Sequence, residues 1–205
     1  MTKSRRNNYH HGNLRQAILD LAETRLSDIR ADDLSLRALA REIGVSQTAP
    51  YRHFGDKNAL LAALATRGYI AMTTRMIRAQ QGAGADPREK LRAVGKAYID
   101  YALEHPELFK VMLGPSLQPQ DRYPELSDAS RQSFILVHEI VREGVEQSLF
   151  REDNLEYLTN AAWAGVHGIA TLKLDRGELF DSQVIDLDRQ FDTSIDIFIS
   201  GISKP

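Results

Sequence analysis

The chain has 205 residues, 42% of them hydrophobic, enough for a real core in one or two domains, and its lack of cysteine excludes disulfides and thiolate metal sites. No apolar run reaches the ~18 residues of a membrane-spanning helix, and the first 20 residues are polar and basic with no apolar secretion-signal core, so a soluble protein of the cytoplasm is expected. The net charge of −2 hides an asymmetry: residues 1–81 hold 13 Lys/Arg against 7 Asp/Glu, net +6, and residues 82–205 hold 13 against 21, net −8, as suits a basic end for a polyanion, although chance clustering on solvated faces gives the same tally.

Helical periodicity runs through the chain and no segment alternates like a strand. Leu14, Ile18, Leu21 and Ala22 form a first apolar stripe, and Leu36, Leu39, Ala40 and Ile43 a second. Asp56 is placed to cap a long helix from Lys57 to about Gln80. Gly82-Ala83-Gly84-Ala85 breaks it. Asp86-Pro87-Arg88-Glu89 restarts a helix, with Asp86 as cap, Pro87 in the first position and Glu89 able to bond back. His105-Pro106 opens a short helix through Leu113, and the three prolines between Gly114 and Pro124 make a loop. Further stripes run through Phe134, Val137, Val141 and Val145, then Leu155, Leu158, Ala162, Val166 and Ile169, then Leu187, Phe191, Ile195, Phe198 and Ile202. The sum is an all-α chain of about nine helices with no internal repeat.

Residues 35–54 read SLRALAREIGVSQTAPYRHF. Ser35 is placed to cap the first helix of a pair, with Leu34 and Leu39 as a hydrophobic staple. Ala40 falls where the helices cross, and Gly44 can take the left-handed conformation that ends a helix sharply. Ser46 is placed to cap the second helix. So short a turn makes a helix-turn-helix, whose second helix enters the major groove of DNA. Gln47, Thr48 and Ala49 then reach the bases: Gln47 suits an adenine edge and Ala49 a thymine methyl. Tyr51, Arg52, His53 and Lys57 suit phosphate oxygens. In the preceding arm, Lys3, Arg5 and Arg6 can lie along phosphates or in the minor groove. The Ala-x-x-x-Gly spacing by itself fits a plain helical hairpin equally.

The first-helix segment NLRQAILDLAETRL, the pair LSLRALAREIGVS and the tail YRHFGDKNALL give residues 13–69 a specific pattern, Tyr51, His53-Phe54 and Lys57 followed by Leu60. This segment resembles the N-terminal domain of the TetR/AcrR family of transcriptional repressors, with Pro50 standing where that family usually has Ile or Leu. HPELFKVMLG (His105 to Gly114) and WAGVHGIATL (Trp163 to Leu172) are similar to a branch of the family whose C-terminal domain carries a Trp-x-x-x-His-Gly motif, here Trp163, His167 and Gly168. The resemblance implies a helix-turn-helix domain over residues 1–57 with an arm over 1–12, and an effector-binding and dimerisation domain over 58–205. It implies double-stranded operator DNA as partner, and a homodimer joined through the last two long helices. It also implies release from DNA by a small-molecule effector held in the C-terminal domain. Ala161, Ala162, Ala164, Gly165 and Gly168 independently supply a small-residue surface for close helix approach.

Candidate effector contacts are Met72, Met76, Tyr98, Tyr101, Phe109, Met112, Phe134, His138, Trp163 and His167, apolar walls with a few polar tips. The same aromatics can equally build a core. No histidine pair has metal-ligand spacing, no Gly-rich phosphate loop or G-x-S-x-G elbow is present, and neither catalysis, a cofactor nor a membrane is expected. His138 and Glu139, adjacent on a helix, are expected to point apart. The alternatives are an all-helical enzyme or ligand carrier, or a protein-interaction module, each with a fortuitous helix-turn-helix.

Overall fold

A computed structural model describes residues 14–175 and 186–204 of the chain. Among these residues lie eight α-helices: α1 (Leu14–Arg25), α2 (Leu36–Ile43), α3 (Lys57–Gly82), α4 (Pro87–Glu104), α5 (Pro106–Leu113), α6 (Pro124–Glu146), α7 (Leu155–Asp175) and α8 (Leu187–Ile202). Short 3-10 turns occupy Ala31–Asp33, Ala49–Arg52, Pro115–Leu117 and Gln120–Arg122. The arm residues Arg5 and Arg6, and Lys3 beside them, lie outside the described residues.

Helix starts follow the cap chemistry where the cap is an aspartate. The Asp56 carboxylate accepts the Ala59 amide at 2.8 Å, and Asp186 accepts that of Arg189 at 2.7 Å. Asp86 accepts from the Arg88 amide at 2.9 Å and is gripped by the guanidinium of the same residue, so Glu89 does not close the expected box and faces Arg92 instead. Asn154 caps α7 by accepting the Tyr157 amide at 3.1 Å. Each cap removes one of the orphan amides that every helix start leaves.

The long helix α3 organises the packing. It buries Leu60, Leu61, Leu64, Tyr69, Met72 and Met76 among others, on more than one side. It packs against α1 near the start of the chain and against α4, α5 and α6 beyond. One continuous apolar core therefore runs from Ile18 and Leu39 through α3 to Phe191 and Ile199. Among the described residues no helix is long and apolar enough to cross a membrane.

Candidate nucleic-acid interface and interior cavity

Helix α2 ends at Gly44, whose φ of 83° and ψ of 28° are left-handed. Its amide and that of Val45 return to the last carbonyls of the helix, Val45 bonding the Ala40 carbonyl at 2.9 Å. A side chain at position 44 would strain this backbone, which is why glycine stops the helix here. Ala40 is fully buried, as the crossing requires. The two expected serine caps are not made. Ser35 is extended, but its hydroxyl bonds no amide, and only its carbonyl holds the first turn, through Leu39 at 3.0 Å. The Ser46 hydroxyl pairs with that of Thr48 at 3.2 Å instead of with the backbone.

The second element is not the expected α-helix but a pair of tight turns, and Pro50 supplies the reason. In an α-helix the Ser46 carbonyl takes its bond from residue 50, and proline has no amide hydrogen. The carbonyl takes Ala49 instead, at 3.0 Å, which is the 3-10 pattern. Tyr51 then bonds Thr48 at 3.2 Å, and His53 and Phe54 bond the Pro50 carbonyl at 2.9 and 3.0 Å. Pro50 is itself buried. Phe54 is buried too and carries the Arg15 guanidinium 5.5 Å above its ring, which ties α1 to the turn.

This local fold presents Ser46, Gln47, Thr48, Tyr51, Arg52 and His53 as exposed residues in one short segment, with Ala49 half-buried among them. Lys57 is half-buried, and its ammonium donates to the Asp32 carbonyl, so part of its hydrogen-bonding capacity is already used. The charge around the segment is uneven. Arg25 pairs with Glu42, and Arg67 with Asp20 at 2.7 Å and Glu23 at 3.1 Å. Arg37, Arg41 and Arg52 are exposed and have no ion pair among the described residues. Arg37 and Arg41 were not singled out from the sequence. Their signal was there, since two arginines four apart on the polar side of α2 share one exposed strip.

A cavity lies in the other half, walled by α3, α4, α6, α7 and α8. Of the sequence candidates, Met76, Tyr98, Phe134 and Trp163 line it. Leu91, Val94, Gly95, Ser133, Val137, Thr159, Ala162, Val166 and Ile195 complete the wall; several are one helical turn from a candidate, as Val94 is from Tyr98. His167 stands behind the wall, its Nδ1 3.1 Å from the Tyr98 hydroxyl and its ring stacked on Trp163 at 4.7 Å and 9°. Phe109 backs both, 5.5 Å from Tyr98 edge-on and 6.1 Å from His167. Burial pushes the Tyr98 phenol up and the His167 imidazole down, so both are held neutral.

The remaining candidates sit elsewhere. Tyr101 leans on His105 at 4.7 Å, and burial raises its phenol to about 12. Met72 and Met112 are core residues. His138 does not point away from its neighbour as expected: its Nδ1 is 3.8 Å from the Glu139 carboxylate. Among the described residues no group of three or more His, Asp or Glu is placed to hold a metal ion.

Comparisons with known proteins agree in both halves. Residues 18–64 match the family model of bacterial regulatory proteins of the tetR family, and residues 91–198 match a tetracyclin repressor-like C-terminal domain. The chain is similar to a solved protein of unknown function from Rhodococcus sp. RHA1, with 35% identity, a TM-score of 0.85, and 97% of this chain and 100% of that one covered. It is 30% identical over 98 residues to an HTH-type transcriptional regulator of Mycobacterium tuberculosis, covering 47% of this chain and only 42% of that relative's length. It is 25% identical over 191 residues to an uncharacterised HTH-type transcriptional regulator of Bacillus subtilis, YobS, at 93% of both chains.

Proposed function

The chain belongs to the tetR family of bacterial regulatory proteins, and from that membership we propose that it is a DNA-binding transcriptional repressor released from its operator by a small organic effector. The observation that carries the proposal is the juxtaposition at the helix-turn-helix. Exposed Gln47 and Thr48 stand at the head of the second element, and nearby in the chain Arg37, Arg41 and Arg52 are exposed with no ion pair among the described residues. These exposed guanidiniums keep their donors free of ion-pair partners within the described residues. A phosphate backbone compensates them. Gln47, Thr48 and Ala49 read base edges in this proposal. Ser46, Tyr51, Arg52, His53 and Lys57 hold register on phosphates, joined by Arg5 and Arg6 of the arm.

The DNA-contacting unit ends near residue 57, and the helices beyond it hold the effector cavity. The Trp163, His167 and Gly168 motif supports assigning the chain to the branch of the family named for that pattern. The functional unit is a homodimer, because one helix-turn-helix grips half a site and two-fold symmetry sets the second about 34 Å away. The ligand acts through α3, which touches both the helix-turn-helix domain and the cavity, and it shifts the balance only by its differential affinity for the two arrangements.

The test is a gel-shift titration against the DNA upstream of the protein's own gene, repeated over a range of salt. Arg52→Ala is expected to weaken binding to all sequences and to lower the salt slope by about one. Gln47→Ala is expected to relax preference at one base step, at a cost of about 1–3 kcal/mol on the preferred base. No shift at low salt, with the protein folded, overturns the proposal.

A further inference from the structure

We infer that the interior cavity takes an uncharged, largely apolar ligand that offers one hydrogen-bonding group to the Tyr98–His167 pair; the inference rests on reading this cavity as the effector site. The walls carry no ionised side chain. Met76, Leu91, Val94, Phe134, Val137 and Trp163 are typical of them. The cations of α4, the helix that supplies Leu91, Val94 and Tyr98, are all committed. Lys90 holds both Glu143 oxygens at 2.7 and 2.8 Å, Arg92 holds Asp196, and Lys96 holds Asp100 at 2.6 Å and Asp188 at 3.0 Å. The same pairs occupy the carboxylates that a cationic ligand needs. A carboxylate, phosphate or ammonium brought into this space loses its water and gains no partner of opposite charge, which is a costly way to bury a charge.

The polar groups of the wall are few and mostly spent. Ser133 donates to the Ser130 carbonyl at 2.7 Å, and Thr159 to the Leu155 carbonyl at 2.7 Å. Tyr98 remains. If it donates to His167, its oxygen accepts from a ligand hydroxyl or amide; if the imidazole N–H donates to it, its own proton serves a ligand carbonyl or ether. The neutral pair answers either polarity, so it selects for the presence of a polar group rather than its type. The empty space between these walls, open solvent at its mouth included, is about 500 Å³. Trp163, stacked on His167, is 40% exposed.

Three probes on one two-ring frame test this by calorimetric titration of the full chain: para-phenylphenol, its methyl analogue para-phenyltoluene, and biphenyl-para-carboxylate. Trp163 is the one tryptophan of the sequence, so its emission reports binding at the cavity directly. The phenol is expected to bind at least about tenfold tighter than the carboxylate, and about fivefold tighter than the methyl analogue. In Tyr98→Phe the phenol's advantage over the methyl analogue is lost, while the methyl analogue keeps its affinity. The wild-type comparison needs no variant, and circular dichroism checks the fold of the substituted protein.

A carboxylate that binds as tightly as the phenol and moves Trp163 emission overturns the ligand class and leaves the cavity standing as the effector site. Equal losses for phenol and methyl analogue in Tyr98→Phe overturn the role of the pair. No heat and no emission change with any probe, in folded protein, overturns the effector-site reading together with the inference.

Discussion

The hydroxyl of Thr73 is buried in α3 with no hydrogen-bond partner among the described residues. Threonine in a helix ordinarily returns its proton to a carbonyl one turn back, as Thr66 and Thr74 do in the same helix at 2.8 and 2.7 Å. Thr73 forgoes that bond and bears the desolvation of a polar atom without recompense. Valine has the same shape and nearly the same helix propensity. Thr73→Val is therefore expected to stabilise the protein by about 1 kcal/mol, read as a higher urea midpoint at unchanged slope. A loss of similar size would mean that the hydroxyl serves a polar ligand atom or a bound water. Pro50 shows the complementary effect. It removes a donor in advance, so the Ser46 carbonyl settles for Ala49, and the recognition segment tightens into 3-10 turns.

At the scale of elements, the least obvious join is between α6 and the end of α8. Gly144 lies near the C-terminus of α6, and a Cβ built there would sit 2.0 Å from Cδ2 and 2.2 Å from Cε2 of Phe150, a fully buried ring. The chain folds back at this point: the Leu149 and Phe150 amides both bond the Gly144 carbonyl, at 2.9 and 3.0 Å. The returning strand-like stretch then bonds the end of α8, Arg151 to the Ile202 carbonyl at 2.7 Å and Lys204 to that of Leu149 at 3.1 Å. Gly144→Ala gains about 1 kcal/mol of helix propensity. It also forces Phe150 out of a packed site, which costs up to about 3 kcal/mol. The expected net loss is about 2 kcal/mol in denaturant unfolding, with faster hydrogen exchange at Arg151 and Lys204 as α8 loses its anchor.

This join was not legible in the sequence, because it depends on where α8 returns rather than on any local period. The helices themselves were legible from their stripes, and aspartate caps at 56 and 86 from their position. The expected serine caps are not made: a cap needs the hydroxyl oxygen to accept a backbone amide, and at Ser46 that oxygen pairs with the Thr48 hydroxyl instead. At the cavity, sequence spacing found the large residues Tyr98, Phe134 and Trp163. It could not separate them from Tyr101, Phe109 and Met112, which share their chemistry but face other neighbours.

For the whole molecule, the outer face of α7 and α8 is the surface on which the proposed dimer depends. Tyr157 is 75% exposed, Ile197 69% and Leu172 48%, all on these two helices. Between them runs a shallow groove lined by Ala161, Gly165, Phe191 and Phe198 among others. A Cβ at Gly165 or Gly168 meets nothing within 4 Å in a single subunit. Each glycine costs an isolated helix about 1 kcal/mol against alanine, with no gain inside the subunit. In the proposed dimer, a second subunit whose helices approach closely would supply the gain. The groove shares Ala162, Val166 and Ile195 with the cavity, so the proposed ligand and the proposed partner helix would meet the same residues. Gly165→Phe is expected to leave the subunit folded, since position 165 is exposed and a Cβ there meets nothing within 4 Å, and to raise the dissociation constant of the proposed dimer more than tenfold in sedimentation equilibrium. Because two half-sites must be gripped together, operator affinity should fall in parallel, and half-site affinity should not. If the variant remains as dimeric as the parent, the subunits meet elsewhere, and the small-residue face of α7 has another use.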